Sequence, residues 1–426
     1  MNLQTPLHSR KTAKPLIEEI KMKSRIVLTI VFFLLMSASA TFAQEPVTIT
    51  FWHTYNEVSP ENQTLTEVLI PIFEAEHPNI KVESIPYPYD GFRQALLTSA
   101  AGGEGPDLVR LDIIWSPEFA AQGILMNLSR ELPEFADLAA NVFPGPLSTN
   151  IYEGEYYGLP LDTNTRILVY NPALVETAPT TIEEFAALCD TMPEGTYLFS
   201  DGGTYGWALL PWIWSFGGEV TDEAMTTATG YVNSEQSVAA VQFLADMVQN
   251  GCFSDGFVGS GLDNWGGFFG GTIASLLEGP WFYPTLESQY PDFEVGAALM
   301  PAGEGGPISV VGGENIVVMA GTKHPEEALE FVRFTQSDVY QLEMSKVGQL
   351  TVLNSLIEDK YFTDHPYYGT FLEQLRTARA RTPHPAYNDI ETVLGDAAQL
   401  VLRGEMSAQE AMDLAAEEIN TLLAGD

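Results

Sequence analysis

The spacing of apolar residues predicts alternating strands and helices along most of the chain. Val47 to Trp52 alternates β-branched and aromatic residues and reads as a first strand. Leu65, Val68, Leu69, Ile72 and Phe73 then fall on one helical face, with Pro71 expected to kink that helix. Ile80 to Ile85 and Leu108 to Leu111 read as further strands, separated by a helix over Gly91 to Ala101. Ile167 to Tyr170 opens a second set. Thr180 and Glu183 suggest a capping box, Ser234 a helix to Asn250, Phe293 to Ala298 and Asn315 to Ala320 strands, and Pro325 a helix to about Phe334. Ser407 and Glu410 start a last helix that ends before Gly425. Such alternation implies right-handed βαβ crossovers and mainly parallel sheets covered on both faces.

Ahead of this pattern, Lys21, Lys23 and Arg25 precede an apolar run from Ile26 to Met36, followed by the small residues of Ser37 to Ala43. The run is too short for a bilayer span and matches a secretory signal, expected to be cleaved after Ala43 or, second, after Ala40. Met22 would make a more ordinary start than Met1. No cysteine follows either cleavage site, so a diffusible periplasmic or extracellular protein is expected rather than a lipoprotein. In that compartment Cys189 and Cys252 could be oxidised, and the sequence leaves open a disulfide or two separate thiols.

Composition narrows the ligand class. Against 57 Asp and Glu stand 19 Lys and Arg, a formal net charge of -38 over 426 residues. Nucleic acid is excluded as a partner, because neutralising phosphates requires clustered cations. Anionic membrane surfaces are disfavoured for the same reason. No nucleophile elbow, zinc-binding helix, phosphate loop or dinucleotide fingerprint occurs, so neither a cofactor nor a metal is expected. His53, His77, His324, His365 and His384 show no metal-ligand spacing.

The aromatics say more. All seven tryptophans lie between positions 52 and 281, and most adjoin glycine or proline: Trp115 before Ser116-Pro117, Trp207 after Gly206, Trp212 after Pro211, Trp265 before Gly266, Trp281 after Gly279-Pro280. Breakers place side chains at element ends, where the ligand crevices of open α/β sheets form. Flat rings flanked by carboxylates suit a pyranose, which offers C–H faces and directional hydroxyls. Core positions remain the bland reading of any single ring. Asp112, Asp162 and Glu278 lie near a tryptophan or a lobe boundary, and Arg166 and Arg381 are scarce cations for which ion pairing is the ordinary role.

In these segments the chain resembles the large solute-binding proteins of carbohydrate ABC importers, the family holding maltose-, trehalose- and glycerol-phosphate-binding proteins. The resemblance is carried, in order, by Ile49 to His53, Pro78 to Val82, Gly105-Pro106-Asp107 with Trp115 and Gly123 to Leu125, Tyr157 to Pro160, Glu278 to Trp281, Gly312-Gly313, and Pro385 to Tyr387. It implies an α/β fold of two lobes joined by three crossovers. The expected division is 44–160 plus 297–335 for the first lobe and 161–296 plus 336–426 for the second. It also implies a ligand cleft lined by Trp52, His53, Tyr55, Asp112 and Trp115, with Trp281 as a stacking ring and Gly312 and Gly313 bringing backbone close. Asp162, Trp212, Trp214, Trp265, Glu278 and Arg381 complete the expected site. The implied function is non-enzymatic: a monomer binds a mono- or oligosaccharide and delivers it to the permease subunits of a transporter. A binder of a glycerol-phosphate diester and a secreted glycan hydrolase with two cleft carboxylates are the alternatives.

Overall fold

A computed structural model describes Met1 and residues 45–425 apart from Ile357 and Pro366. The expected signal sequence lies outside the described residues. From Val47 onward the chain forms one compact unit built on two sheets. In the first, the strand order is Ile80–Pro86, Val47–His53, Leu108–Asp112, Glu314–Val318, Leu159–Pro160. The second runs Gly296–Ala298, Ile167–Tyr170, Ile273–Glu278, Tyr197–Ser200.

Adjacent residues along the strands enter different cores, so both sheets are buried on two faces. Ile49, Phe51, Ile316 and Val318 point into one core, Val109, Leu111 and Val317 into another. In the second sheet Leu168, Ala274 and Leu277 face one cluster, and Ile167, Val169, Ile273 and Leu276 the other. Double burial of this kind requires helices on both sides, as expected for α/β proteins. The sheets are mixed, however, where mainly parallel ones were expected. Glu314–Val318 runs antiparallel to Leu108–Asp112, and Ile167–Tyr170 runs antiparallel to both its neighbours. The cause is connectivity: these strands are fed by chain passing between the sheets and not by a helical crossover.

Three connections pass side by side. Asn164–Thr165 pairs with Val311–Gly312, and Thr163 bridges to Leu350. Two segments differ from the expected division of lobes. Gly296–Ala298 pairs with Ile167–Tyr170, and Ala302 bridges to Thr181, so the chain stays with the second sheet beyond residue 297. The helix Asp338–Ser345 packs through Tyr340 and Met344 into the same core as Phe51 and Phe331, on the first sheet.

Local chemistry accounts for two further differences. Pro71 is preceded by a π-helical turn, Leu65–Leu69, which absorbs one extra residue ahead of the missing N–H. The apolar face therefore steps from Leu69 to Ile70 and Phe73, and Val68 is exposed. The capping box lies one residue later than expected, with Thr181 and Glu184 exchanging bonds. The caps at Ser234 and Ser407 stand where expected.

Two expected cleft residues are part of the first-lobe core. His53 shares its strand face with Phe51 and is fully buried, 2.7 Å from the Ser84 hydroxyl. Tyr55 lies under the Arg110 guanidinium at 4.2 Å and is buried as well. Arg110 is held between Asp162 (3.3 Å) and Glu314 (2.5 Å), which places Asp162 in a buried ion cluster at the first crossover. Trp212 is likewise core. It has no exposed surface and packs among Phe185, Phe199, Phe243 and Phe253, because Pro211 sits inside the helix Gly206–Ser215 and not at its end.

Burial lowers the His53 imidazole from its usual value to about 3, with the Arg110 charge adding to the effect. The unfolded chain thus takes up a proton near pH 6.5 that the folded chain refuses until about pH 3. Its contribution to stability is complete above the unfolded value and is lost as pH falls towards about 3. In urea titrations between about pH 6.5 and pH 4, the wild type should lose up to about 1.4 kcal/mol per pH unit more than His53→Gln. Parallel pH profiles for the two proteins would contradict this.

Cys189 and Cys252 form a disulfide with Cα atoms 5.6 Å apart, tying the end of one second-lobe helix to the segment after Glu235–Gln249. The bridge closes a loop of sequence separation 63. Replacing both cysteines by alanine should cost about 2 to 4 kcal/mol in denaturant unfolding. An unchanged midpoint, with both thiols alkylated in unreduced wild type, would contradict it.

Candidate functional site

The second lobe supplies one wall, and Arg166 organises it. The residue follows the first crossover, and its side chain is 5% exposed. Its Nε donates to the Leu277 carbonyl at 3.1 Å, one residue before the strand ends at Glu278. Its Nη1 donates to the Trp207 carbonyl at 3.0 Å. That carbonyl is free because its helical partner four residues on is Pro211, which has no N–H. Asp201 balances the charge at 2.7 Å. One guanidinium therefore fixes a strand end, a helix start and a carboxylate together.

Three indoles are arranged on this frame. Glu278 accepts from Trp265 Nε1 through one oxygen (2.6 Å) and from Trp281 Nε1 through the other (3.1 Å). The Trp281 ring lies over Gly279, where a Cβ would overlap it, which explains the glycine before Pro280. Trp207 stands 6.2 Å from Trp281 at an interplanar angle of 33°. Gly312 touches the Trp207 ring and Asn164 so closely that no side chain fits, and Gly313, at φ 124°, packs on the Asp162 carbonyl. Both glycines therefore serve close backbone approach at the crossovers. Burial raises the Glu278 and Asp201 carboxyls above their usual range, and the Arg166 charge opposes the shift.

The first lobe supplies the other wall. Asp112 ends its strand, and one oxygen accepts from the Tyr89 hydroxyl at 2.9 Å while the other accepts from Ile114 N–H at 3.0 Å. Tyr89 stacks on Trp115 at 5.2 Å and is 49% exposed. Trp115 itself is buried and donates to Asn388 of the second lobe at 3.1 Å, so it joins the lobes and shows no free face. Trp52 packs on Tyr87 at 4.5 Å, along the flank of the same aromatic cluster.

Arg381 closes the ring of contacts. It lies 3.7 Å from Asp112 in one lobe and 3.8 Å from Glu391 in the other, with its guanidinium 5.6 Å from the Trp207 centroid. Both ion pairs are long, and Nε has no hydrogen-bond partner. Beside it a recess of about 560 Å³ is lined from both lobes, by Ile113, Pro117, Thr149 and Tyr152 on one side and Met225, Arg381 and His384 on the other. The arrangement combines ring faces, carboxylate acceptors and an underused guanidinium donor at a seam between lobes. Among the described residues no three His, Cys, Asp or Glu are grouped as metal ligands.

Of the residues expected at the cleft, the structure thus gathers Asp112, Trp115, Trp265, Glu278, Trp281, Gly312 and Arg381 around this seam. It places His53, Tyr55, Asp162 and Trp212 in buried networks, and Trp214 under Arg379 in the second-lobe core. Tyr89 and Glu391 join the seam beyond the expected set, and Trp207, one of the seven rings beside breakers, stands there as well. The alternation Pro86-Tyr87-Pro88-Tyr89 and the pair Gly206-Trp207 were the available signals.

Comparison with known proteins gives the family and the fold. Residues 69–370 match the family model described as bacterial extracellular solute-binding protein. The GacH receptor of Streptomyces glaucescens, solved unliganded and in complex with acarbose, superposes with a TM-score of 0.81 at 26% identity, over 89% of this chain and 99% of that one. A galactooligosaccharide-binding protein of Bacillus subtilis is 24% identical over 81% of this chain and 83% of its own. A maltotriose-binding protein of Pyrococcus abyssi is 23% identical over 75% and 70% respectively. Among the described residues no helix is long and apolar enough to cross a membrane. A two-lobed α/β chain with its polar and aromatic side chains gathered at the seam, matched by the family model over most of its length, belongs to the bacterial extracellular solute-binding proteins.

Proposed function

We propose that this protein binds an oligosaccharide between its lobes and hands it, chemically unchanged, to the permease subunits of an ABC importer. The observation that carries the reading is the Glu278-held pair of indoles beside Trp207, with Arg381 reaching from the Trp207 ring to the lining of a recess to which both lobes contribute. Stacking on C–H faces and bonds to hydroxyls are what such groups offer. The names of the galactooligosaccharide- and maltotriose-binding relatives point the same way. A phosphodiester is disfavoured because Asp112, Glu278 and Glu391 surround the cations at the seam. The protein acts as a diffusible monomer after cleavage of its signal sequence, and the lobes close on the ligand as rigid bodies about the crossovers.

Two outcomes follow. Affinity for a neutral oligosaccharide, measured by calorimetry, should change little between low salt and about 0.5 M, because neutral hydrogen bonds and stacking carry little screened charge. A tenfold or greater loss, on the order of 1.4 kcal/mol, would point to a charged ligand. Trp281→Ala should weaken saccharide binding about 100-fold, since a stacked aromatic anchor is worth a few kcal/mol when truncated. A core tryptophan would behave differently, losing about 3 to 5 kcal/mol of folding stability. A variant that melts far earlier without ligand yet binds saccharide normally would remove Trp281 from the site.

A further inference from the structure

A second recess of about 580 Å³ opens beside the seam, lined by Trp214, Glu219, Asp222, Met225, Tyr231 and Arg379 among others. It adjoins the first: Met225, Ala380, Thr382 and Pro383 line both. Its floor is built in layers. Trp214 is buried, the Arg379 guanidinium lies 5.2 Å above its ring, and Glu219 holds that guanidinium at 2.6 Å. The Arg379 backbone is anchored on both sides, its N–H to Ser309 and its carbonyl to Val311 N–H, each at 2.8 Å. The layered planar groups thus rest on a crossover and not on a free loop.

Met225 forms the ridge between the two recesses, and its backbone is held in the left-handed region at φ 55°, a conformation that a non-glycine residue adopts only under constraint. Asp222 supplies that constraint. Its carboxylate accepts from Thr226 N–H (2.6 Å), the Thr226 hydroxyl (2.7 Å) and Thr227 N–H (2.9 Å), and its carbonyl from Met225 N–H (3.0 Å). Four residues, Asp222, Met225, Thr226 and Thr227, thus fix one apolar side chain at the boundary of the two hollows.

Resting on the saccharide reading above, we infer that the second recess is an outer subsite that takes the continuing sugar residues of an oligosaccharide held at the seam, with Met225 as the ridge the chain crosses. The stacked Arg379 plane offers a flat face and donors, Glu219 and Glu223 offer acceptors, and Thr221 and Thr382 offer hydroxyls. Each hollow falls within the roughly 300 to 1,000 Å³ usual for a small-molecule site, so together they suit an extended ligand better than a single ring. Ligand length, on this account, is selected by residues remote from Trp281.

The test uses calorimetric titration of the full protein with two ladders, maltose to maltohexaose and galactobiose to galactopentaose. In whichever ladder binds, affinity should rise about tenfold or more from the disaccharide to the pentasaccharide. Arg379→Ala should cost the pentasaccharide at least about fivefold more than the disaccharide. Thr382→Trp, which adds bulk at the border the two hollows share, should do the same and serves if Arg379→Ala folds poorly. Binding that is flat with length, or equal losses for short and long ligands in both variants, would overturn this inference alone. Failure of both ladders to bind at any length would overturn the saccharide reading and this inference with it.

Discussion

The buried guanidinium of Arg166 is the interaction on which the site depends. It joins the end of one strand to the start of a tryptophan-bearing helix, and it does so by using a carbonyl that Pro211 leaves without a helical partner. Burying a cation is costly unless its hydrogen bonds and charge are answered. Here Leu277, Trp207 and Asp201 answer them, and Ser309 ties the Arg166 carbonyl to the returning crossover at 2.7 Å. The orientation of Glu278, and through it of Trp265 and Trp281, follows from where this strand end is held.

A chain so rich in carboxylates has to place its few arginines carefully. Arg110 neutralises Asp162 and Glu314 beneath the first lobe's crossover, Arg166 neutralises Asp201 in the second lobe, and Arg381 stands between Asp112 and Glu391 at the seam. The first two make close bonds and are structural. Arg381 makes only long ones, 3.7 and 3.8 Å, to carboxylates of the two lobes. Burial raises the Glu391 carboxyl as it does Glu278, and the Arg381 charge opposes the rise. A guanidinium whose ion pairs are both long is better suited to meeting a ligand's hydroxyls than to holding the fold.

Much of this was legible from residue patterns, and the exceptions have identifiable causes. Alternation in Val47–His53 is regular, and serine caps at 234 and 407 are local signals that tertiary packing does not override. Mixed sheet polarity was not legible, because strand direction depends on which side of a crossover feeds the strand. The same rule of reading tryptophans beside breakers led to opposite results at two positions. Gly279-Pro280 ends a strand and leaves Trp281 at the seam, whereas Pro211 lies within a helix whose carbonyl is rescued by a distant arginine, so Trp212 remains core. His53 and Tyr55 misled for a simpler reason: strand parity puts His53 on the face of Phe51, towards Phe331 and away from Trp52. No local signal announces that Arg110 lies over Tyr55.

The two walls come from different lobes, so binding as proposed requires their approach around the ligand. Small-angle X-ray scattering of the protein without ligand and with a saturating oligosaccharide tests this most directly. The radius of gyration should fall on binding, with the pair-distance distribution losing its longest separations as the Asp112 wall approaches the Glu278 wall. Scattering profiles that superpose although calorimetry shows the saccharide bound would contradict the account, and would mean that the site is complete without movement of the lobes.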